Sequence, residues 1–200
     1  MPDTGAPWNI PYVAESDLVR DFPTDDEAQA TAIAAGLSAA GGLVVVKTAL
    51  FASTQSASVA TGANVAVTDL TITHTLADAA NRLILMAYFG AAGNSKGRGE
   101  VGIAIADDGT LIGIGDAEGS RTRVGAGGAV AQDVNGEIVT MPSIHLVHTP
   151  GDALEHTYTV RAINADSSTR TLYVNRSVSD FADARATRAV SVLTLMEVKV

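Results

Sequence analysis

Residues 101–114 have the sequence VGIAIADDGTLIGI, which contains a complete β-hairpin signal. Its first half alternates large apolar and small residues, which is the two-residue period of a strand with one small-residue face. The turn signal follows at Asp107, Asp108 and Gly109, because aspartate and glycine tolerate the backbone angles of tight hairpin loops. Residues 110–114 then continue as the returning strand. The segment predicts two antiparallel neighbours.

The same period recurs from residue 43 to residue 200, interrupted by turn signals. Further strands are predicted at Leu43–Phe51, 65–74, 82–89, 139–148, 156–163, 171–176 and 189–200. No long helical pattern lies between them, which argues against a parallel α/β sheet. We therefore predict a mainly β domain over residues 43–200, an antiparallel β-sandwich or jelly roll.

One predicted strand contains an irregularity. Val65 and Val67 are apolar at odd positions, whereas Leu70 and Ile72 are apolar at even positions. Because side chains alternate between the two faces of a strand, this change of parity would expose half of the apolar set. A bulge or bend near Thr68 and Asp69 would correct it.

The first 42 residues differ in composition from the rest. They contain four of the six prolines, the only tryptophan, and a charge balance of −6 out of the net −9. We expect residues 1–23 to be an extended anchoring segment, since proline removes backbone donors and favours extended geometry. Residues 24–42 are predicted to form a short helix that begins with a capping box at Thr24 and Glu27 and ends in a glycine linker.

The extended segment carries large apolar side chains that have no core of their own. The hypothesis is that they bind a groove on another protein, and the alternative is that they fold back onto the β-domain. The predicted anchoring side chains are Trp8, Ile10, Tyr12 and Phe22.

Composition excludes several classes of function. The net charge of −9 disfavours nucleic acid as a partner, because an acidic chain repels phosphate backbones. The chain has no cysteine, so disulfides and thiolate metal sites are absent. Its apolar runs are far shorter than the ~20 residues of a membrane-spanning helix, so no membrane insertion is expected.

Patterns for catalysis or metal binding are weak. His145 and His148 should point to opposite faces of one strand, although His156 could join either of them across strands. Asp107 and Asp108 are explained by the turn. No nucleophile elbow of the Gly-x-Ser-x-Gly kind is present. We expect no catalytic residue, no metal site and no cofactor.

Two groups of charged residues suggest contacts with other molecules. The glycine-rich segments 93–99 and 117–128 supply donors suited to glycans, although plain connecting loops have the same composition. The predicted receptor-contact residues are Lys96, Arg98, Arg121 and Arg123. The predicted inter-subunit residues are Arg176, Arg188 and Glu197, of which Glu197 would need a cationic or hydrogen-bonding partner if buried.

Several stretches resemble fibre and minor structural proteins of tailed bacteriophages. They are PWNIPY at 7–12, DLVRDFP at 17–23, DLTIT at 69–73, NRLIL at 81–85, LYVNRS at 172–177 and SVLTLMEV at 191–198. The resemblance implies that the N-terminal segment attaches to other virion proteins. It also implies a trimeric β-sandwich of the tumour-necrosis-factor or C1q type, located in the virion as a fibre or spike.

The expected function is therefore a virion protein that presents a β-domain for host attachment, through a host surface glycan or protein. Strands that are apolar on both faces, at 82–89 and 189–200, independently suggest a homotrimer, because a two-layer monomer would leave one face uncovered. The alternatives are a capsid decoration or tail-stabilising protein without a receptor, a non-viral carbohydrate-binding module, and an enzyme.

Overall fold

A computed structural model describes residues 42–96, 100–128, 139–178, 180 and 188–200. This part of the chain is mainly β, and all of its strand pairs are antiparallel, as the two-residue period predicts. The anchoring segment 1–23, the helix expected within 24–42 and Arg98 lie outside the described residues.

Each predicted strand is present, with differences at its ends, and the short strands Gln55–Val59 and Ala92–Asn94 are additional to the predicted ones. The strands are β1 Leu43–Phe51, β2 Gln55–Val59, β3 Asn64–Thr75, β4 Arg82–Tyr88, β5 Ala92–Asn94, β6 Val101–Asp107, β7 Thr110–Ile112, β8 Ala126–Gly128, β9 Ser143–His148, β10 Glu155–Asn164, β11 Arg170–Val174 and β12 Ser191–Val198. The ninth strand begins later than predicted, directly after Pro142, which has no backbone donor for a ladder.

The strands form three sheets. One has the order β1-β12-β4-β9, a second has the order β3-β10-β6-β7 with β8 also paired to β6, and a small third sheet has the order β2-β11-β5. Neighbouring strands are mostly distant in sequence, so the sheets depend on long-range pairing.

The apolar core is built from the inward faces of the first two sheets. Leu83, Leu85, Leu193 and Leu195 come from the first sheet and are fully buried, and they meet the inward side chains of the second sheet. The second sheet contributes Val67, Leu70, Ile72, Ile103, Ile105, Tyr158 and Val160. Burial of this set is the main stabilising contribution to the fold.

The predicted bulge in β3 is confirmed. Thr159 of β10 pairs with Thr71, but Arg161 pairs with Ala66, so β3 has extra residues opposite Val160. Asp69 lies within them and has a φ of 65°, in the left-handed region. Val67 and Leu70 are therefore both buried although their parity differs.

The predicted hairpin is also confirmed. Asp107 pairs with Thr110, and the two loop residues Asp108 and Gly109 have φ angles of 46° and 86°. Positive φ at both central positions is the pattern of a type I′ turn, which matches the twist of the flanking strands. The turn is fixed to β10, because the Asp108 amide donates to Thr157 O at 3.0 Å.

The glycine-rich segment after residue 117 is not loop throughout, which corrects the expectation from composition. Residues Ala126–Gly128 form β8 and pair with β6. At Gly127, φ is 133° and an added Cβ would lie 2.8 Å from Gly102 Cα. Glycine is needed here because two backbones approach closely, not because the segment is a connector.

The two ends of the described β-domain lie side by side. Leu43 pairs with Val198, and the Lys199 amide donates to Gly42 O at 3.0 Å. The chain that enters from residues 1–41 therefore meets the domain at the edge strand β1, next to the end of β12.

Candidate functional site

A cluster of histidine and aspartate side chains lies at one end of the second sheet. Asp107 ends β6 and pairs directly with Tyr158 of β10, so both side chains are on one face. His156 is two residues before Tyr158 and shares that face. His148 approaches from β9 of the first sheet, and Asp152 from the loop between β9 and β10.

Asp107 connects the two histidines. Its Oδ2 lies 2.9 Å from His148 Nε2, and its Oδ1 lies 2.8 Å from His156 Nδ1. The three side chains are largely buried, with 13% of Asp107, 18% of His148 and 14% of His156 exposed. The sequence-based prediction that His145 and His148 point to opposite faces agrees with this, because His145 is exposed on the other side of β9.

Both ring nitrogens of His156 face carboxylates. Nε2 is 3.0 Å from Asp152 Oδ1, and Nδ1 also lies 3.3 Å from Asp108 Oδ2. The hydrogen bond to Asp152 raises the pKa of His156, and Asp107 raises it further, although burial acts in the opposite direction. The site therefore favours a positive charge on or beside Nδ1 of this imidazole.

Tyr158 packs between the two imidazoles. Its ring centroid is 5.9 Å from that of His148, edge to face, and 6.1 Å from that of His156, in a stacked arrangement. The residue is fully buried, and its hydroxyl makes no hydrogen bond to any described residue. Burial and the charges of Asp107, Asp108 and Asp152 raise the pKa of this phenol, so it remains protonated and able to donate.

This cluster can hold a proton or a cation, and sequence analysis missed it. One ligand atom each from Asp107, Asp108 and His156 lies within 4.8 Å of the others. The sequence explains the Asp-Asp-Gly motif by the turn alone, although the motif also places two carboxylates in this cluster. The signal was the possibility that His156 joins another histidine across strands. In the structure His156 and His148 come from different sheets and contact the same carboxylate, that of Asp107.

The burial of Glu197 corrects a second sequence-based prediction. It was predicted as an inter-subunit contact, but it is fully buried within its own chain. Its carboxylate accepts from Asn81 Nδ2 at 2.6 Å and from the Ala77 amide at 2.8 Å, and lies 2.8 Å from His74 Nε2. Burial raises the pKa of Glu197, but these hydrogen bonds outweigh it and leave the pKa lowered.

The outer face of the β1-β12-β4-β9 sheet is mostly apolar. Cross-strand pairing places side chains on it in rows, such as Val46, Met196, Ile84 and Val147 in one row. The whole set is Leu43, Val46, Thr48, Leu50, Arg82, Ile84, Met86, Tyr88, Ser143, His145, Val147, Val192, Thr194, Met196 and Val198. We call this set the outer face; none of its members is acidic.

Several of these apolar side chains are exposed in the single chain. The exposed fraction is 53% for Val46, 59% for Leu50, 45% for Tyr88 and 64% for Val147. Exposed apolar side chains gathered on one face of a folded domain indicate an interaction surface.

The predicted receptor-contact residues do not form one site. Arg121 and Arg123 lie on a surface groove of about 420 Å³ that Thr61, Leu111 and Ile114 also line. The Arg123 Nε donates to Gly115 O at 2.6 Å, which holds the side chain in place. Lys96 lies elsewhere, with its Nζ 3.7 Å from the buried carboxylate of Asp166.

The other two predicted inter-subunit residues are close to each other. Arg176 and Arg188 form an isolated antiparallel bridge, and both guanidinium groups contact Asp180 Oδ2, at 3.2 Å and 2.7 Å. Arg176 also lies over the Tyr173 ring, with Cζ 4.3 Å from the ring centroid. These contacts are within one chain, and their role between subunits stays a prediction.

Comparison with known proteins gives no family for this chain. No family model matches it, and no curated protein matches it. Within the described part of the chain, none of the elements is a helix that could cross a lipid bilayer.

Proposed function

We propose that this chain is a structural protein of a bacteriophage virion, in which a trimeric β-sandwich is anchored to the particle by its N-terminal segment and contacts the host. The single observation that carries the proposal is the outer face. Within the described part of a single chain, Leu50 and Val147 are 59% and 64% exposed. Fully burying one such side chain contributes roughly 1.5–3 kcal/mol, so covering the set is strongly favourable.

The occupant of the outer face is a second copy of this chain. Residues 43–200 carry only −3 of the net charge of −9, so two β-domains repel each other weakly. The outer face carries no acidic side chain, so two copies that meet there bring no carboxylates together. Closed symmetry would also cover the unpaired edges of β1 and β9, which are the edge strands of this sheet.

Support for a virion role comes from the segments that resemble phage structural proteins. Two of them, 81–85 and 191–198, overlap the two central strands of the outer face, β4 and β12. The β-domains of the fibre proteins that they resemble are often trimeric, and self-association through these strands is consistent with that resemblance. The groove lined by Arg121 and Arg123 offers donors for an acidic or hydroxylated glycan.

Self-association through the outer face is tested by changing two exposed β1 side chains. Wild-type protein should sediment at about three times the chain mass of 20.4 kDa. The double variant Val46→Glu, Leu50→Glu should sediment as a monomer, because it places two charges in the apolar interface. Leu154→Glu is the matched control, since Leu154 is 69% exposed but is not on the outer face.

Two results would contradict this assembly. One is a wild-type protein that stays at 20.4 kDa at micromolar concentration. The other is a double variant that keeps the wild-type mass while its circular dichroism shows an intact β fold, which would place the subunit contact elsewhere.

A further inference from the structure

We propose that Asp107, Asp108 and His156 bind a divalent transition-metal ion of the zinc class. This inference is independent of the virion role. Their ligand atoms lie within 4.8 Å of one another. Two carboxylate oxygens and one imidazole nitrogen are a donor set that suits Zn²⁺, with a water completing the coordination.

The donors lie near, although not at, the separations of a coordination shell. His156 Nδ1 is 2.8 Å from Asp107 Oδ1 and 3.3 Å from Asp108 Oδ2. Nitrogen and oxygen ligands that each lie about 2.0–2.2 Å from zinc are separated from one another by roughly 3–3.5 Å. Small side-chain rotations would therefore admit the ion.

Two further side chains orient the ligands. His156 can donate from Nε2 to Asp152, 3.0 Å away, which leaves the Nδ1 lone pair directed at Asp107 and Asp108. His148 lies 2.9 Å from Asp107 Oδ2, the oxygen that faces away from His156. Metal-binding histidines and carboxylates are usually fixed by such second hydrogen bonds.

Tyr158 provides an independent observation. Its hydroxyl is fully buried and has no hydrogen-bond partner among the described residues. The negative charges of Asp107, Asp108 and Asp152 act on it and contribute to its raised pKa. A buried donor without a partner is costly in a folded protein. A metal-bound water or a ligand carboxylate that turns toward it would accept this hydrogen bond.

A proton competes with the metal ion at Nδ1 of His156. The groups that face this imidazole are Asp107, Asp108 and Asp152, His148 from β9, Tyr158 from its own strand, and His74, which pairs with His156 on β3. Because the surrounding carboxylates are ionised, the site favours a cation, whether that cation is a proton on His156 or a bound metal ion.

The test is calorimetric titration of the full chain with ZnCl₂ at pH 7.5. We expect one ion per chain. Asp108→Asn should weaken binding at least about tenfold. It keeps the fold, because asparagine tolerates a positive φ and retains the oxygen that accepts from the Thr157 amide at 2.9 Å.

The matched control is Asp116→Asn, which removes an exposed carboxylate outside the cluster and outside the outer face and should leave zinc binding unchanged. Absence of zinc binding, equal binding by Asp108→Asn, or loss of binding in Asp116→Asn would overturn the proposal. Displacement of zinc by millimolar Ca²⁺ would overturn the assignment to the zinc class, because calcium prefers an all-oxygen shell. If His156→Gln folds, it should bind no zinc.

Discussion

A carboxylate in the core is stable only when its neighbours satisfy it. Glu197 has three partners inside the chain, namely the Asn81 amide group, the Ala77 backbone amide and His74. These come from β3 and from the turn before β4, whereas Glu197 is on β12. The side chain therefore joins the two main sheets through hydrogen bonds at a place where the core is otherwise apolar.

Removing this carboxylate should destabilise the fold strongly. Glu197→Ala leaves buried donors without an acceptor, and we expect a loss of about 3 kcal/mol in the free energy of unfolding. Urea denaturation at pH 7 measures it. Glu155→Ala is the control, because Glu155 is exposed and has no comparable network.

Wild type and Glu197→Ala also test how the contribution of Glu197 to the free energy of unfolding depends on pH. Because the pKa of Glu197 in the folded chain is lowered below its ordinary value of 4.5, its contribution to stability is present above pH 4.5. It is lost as the pH falls through the folded pKa. The difference in the free energy of unfolding between wild type and Glu197→Ala should therefore become smaller as the pH falls. A difference that stays constant from pH 7 to strongly acid conditions would contradict this account.

Individual residues also show where sequence analysis fails. The turn at Asp108 and Gly109 is local, so the sequence alone predicts it. The contact between Asp107 and His156 joins residues far apart in the chain. It depends on which strand lies beside β6, and the alternation of side chains carries no information on strand order.

At the level of the element, β3 is the strand with the most distinctive signal. The change in apolar parity between Val67 and Leu70 predicts a bulge, and the structure has one there. The reason is that burial on one face is so favourable that the backbone distorts to keep it. In contrast, β8 was missed, since three residues rich in glycine have no apolar period.

The bulge in β3 allows a specific prediction about the stability of variants at Asp69. Its φ of 65° is easy for glycine, tolerated by aspartate and asparagine, and costly for a β-branched residue. Asp69→Val should destabilise the domain by about 1–2 kcal/mol, whereas Asp69→Gly should be close to neutral. Thermal denaturation of the two variants measures the difference. Equal stability would mean that β3 adopts another register when residue 69 is replaced.

At the scale of the whole molecule, attachment and host contact should be separable. Residues 42–200 contain the described core, so a chain shortened to them should fold but fail to join virus particles. The full chain with Arg121→Ser and Arg123→Ser is the matched control, which should join particles and lose host binding. Electron microscopy of labelled particles and an adsorption assay measure the two effects. Assembly of the shortened chain at the wild-type level would contradict an anchoring role for residues 1–23.

The pairing of β1 with β12 has a mechanical consequence. Gly42 and Lys199 lie together at one end of the ladder, so tension between them opens its eight residue pairs one after another, and each break needs little force. Tension between Gly42 and Ser143, which lies toward the other end of the same sheet, loads those pairs together in shear. An optical trap should therefore record a markedly higher rupture force for the second pulling geometry than for the first. A load that enters through the N-terminal segment and leaves through the far end of the domain would meet the mechanically resistant direction.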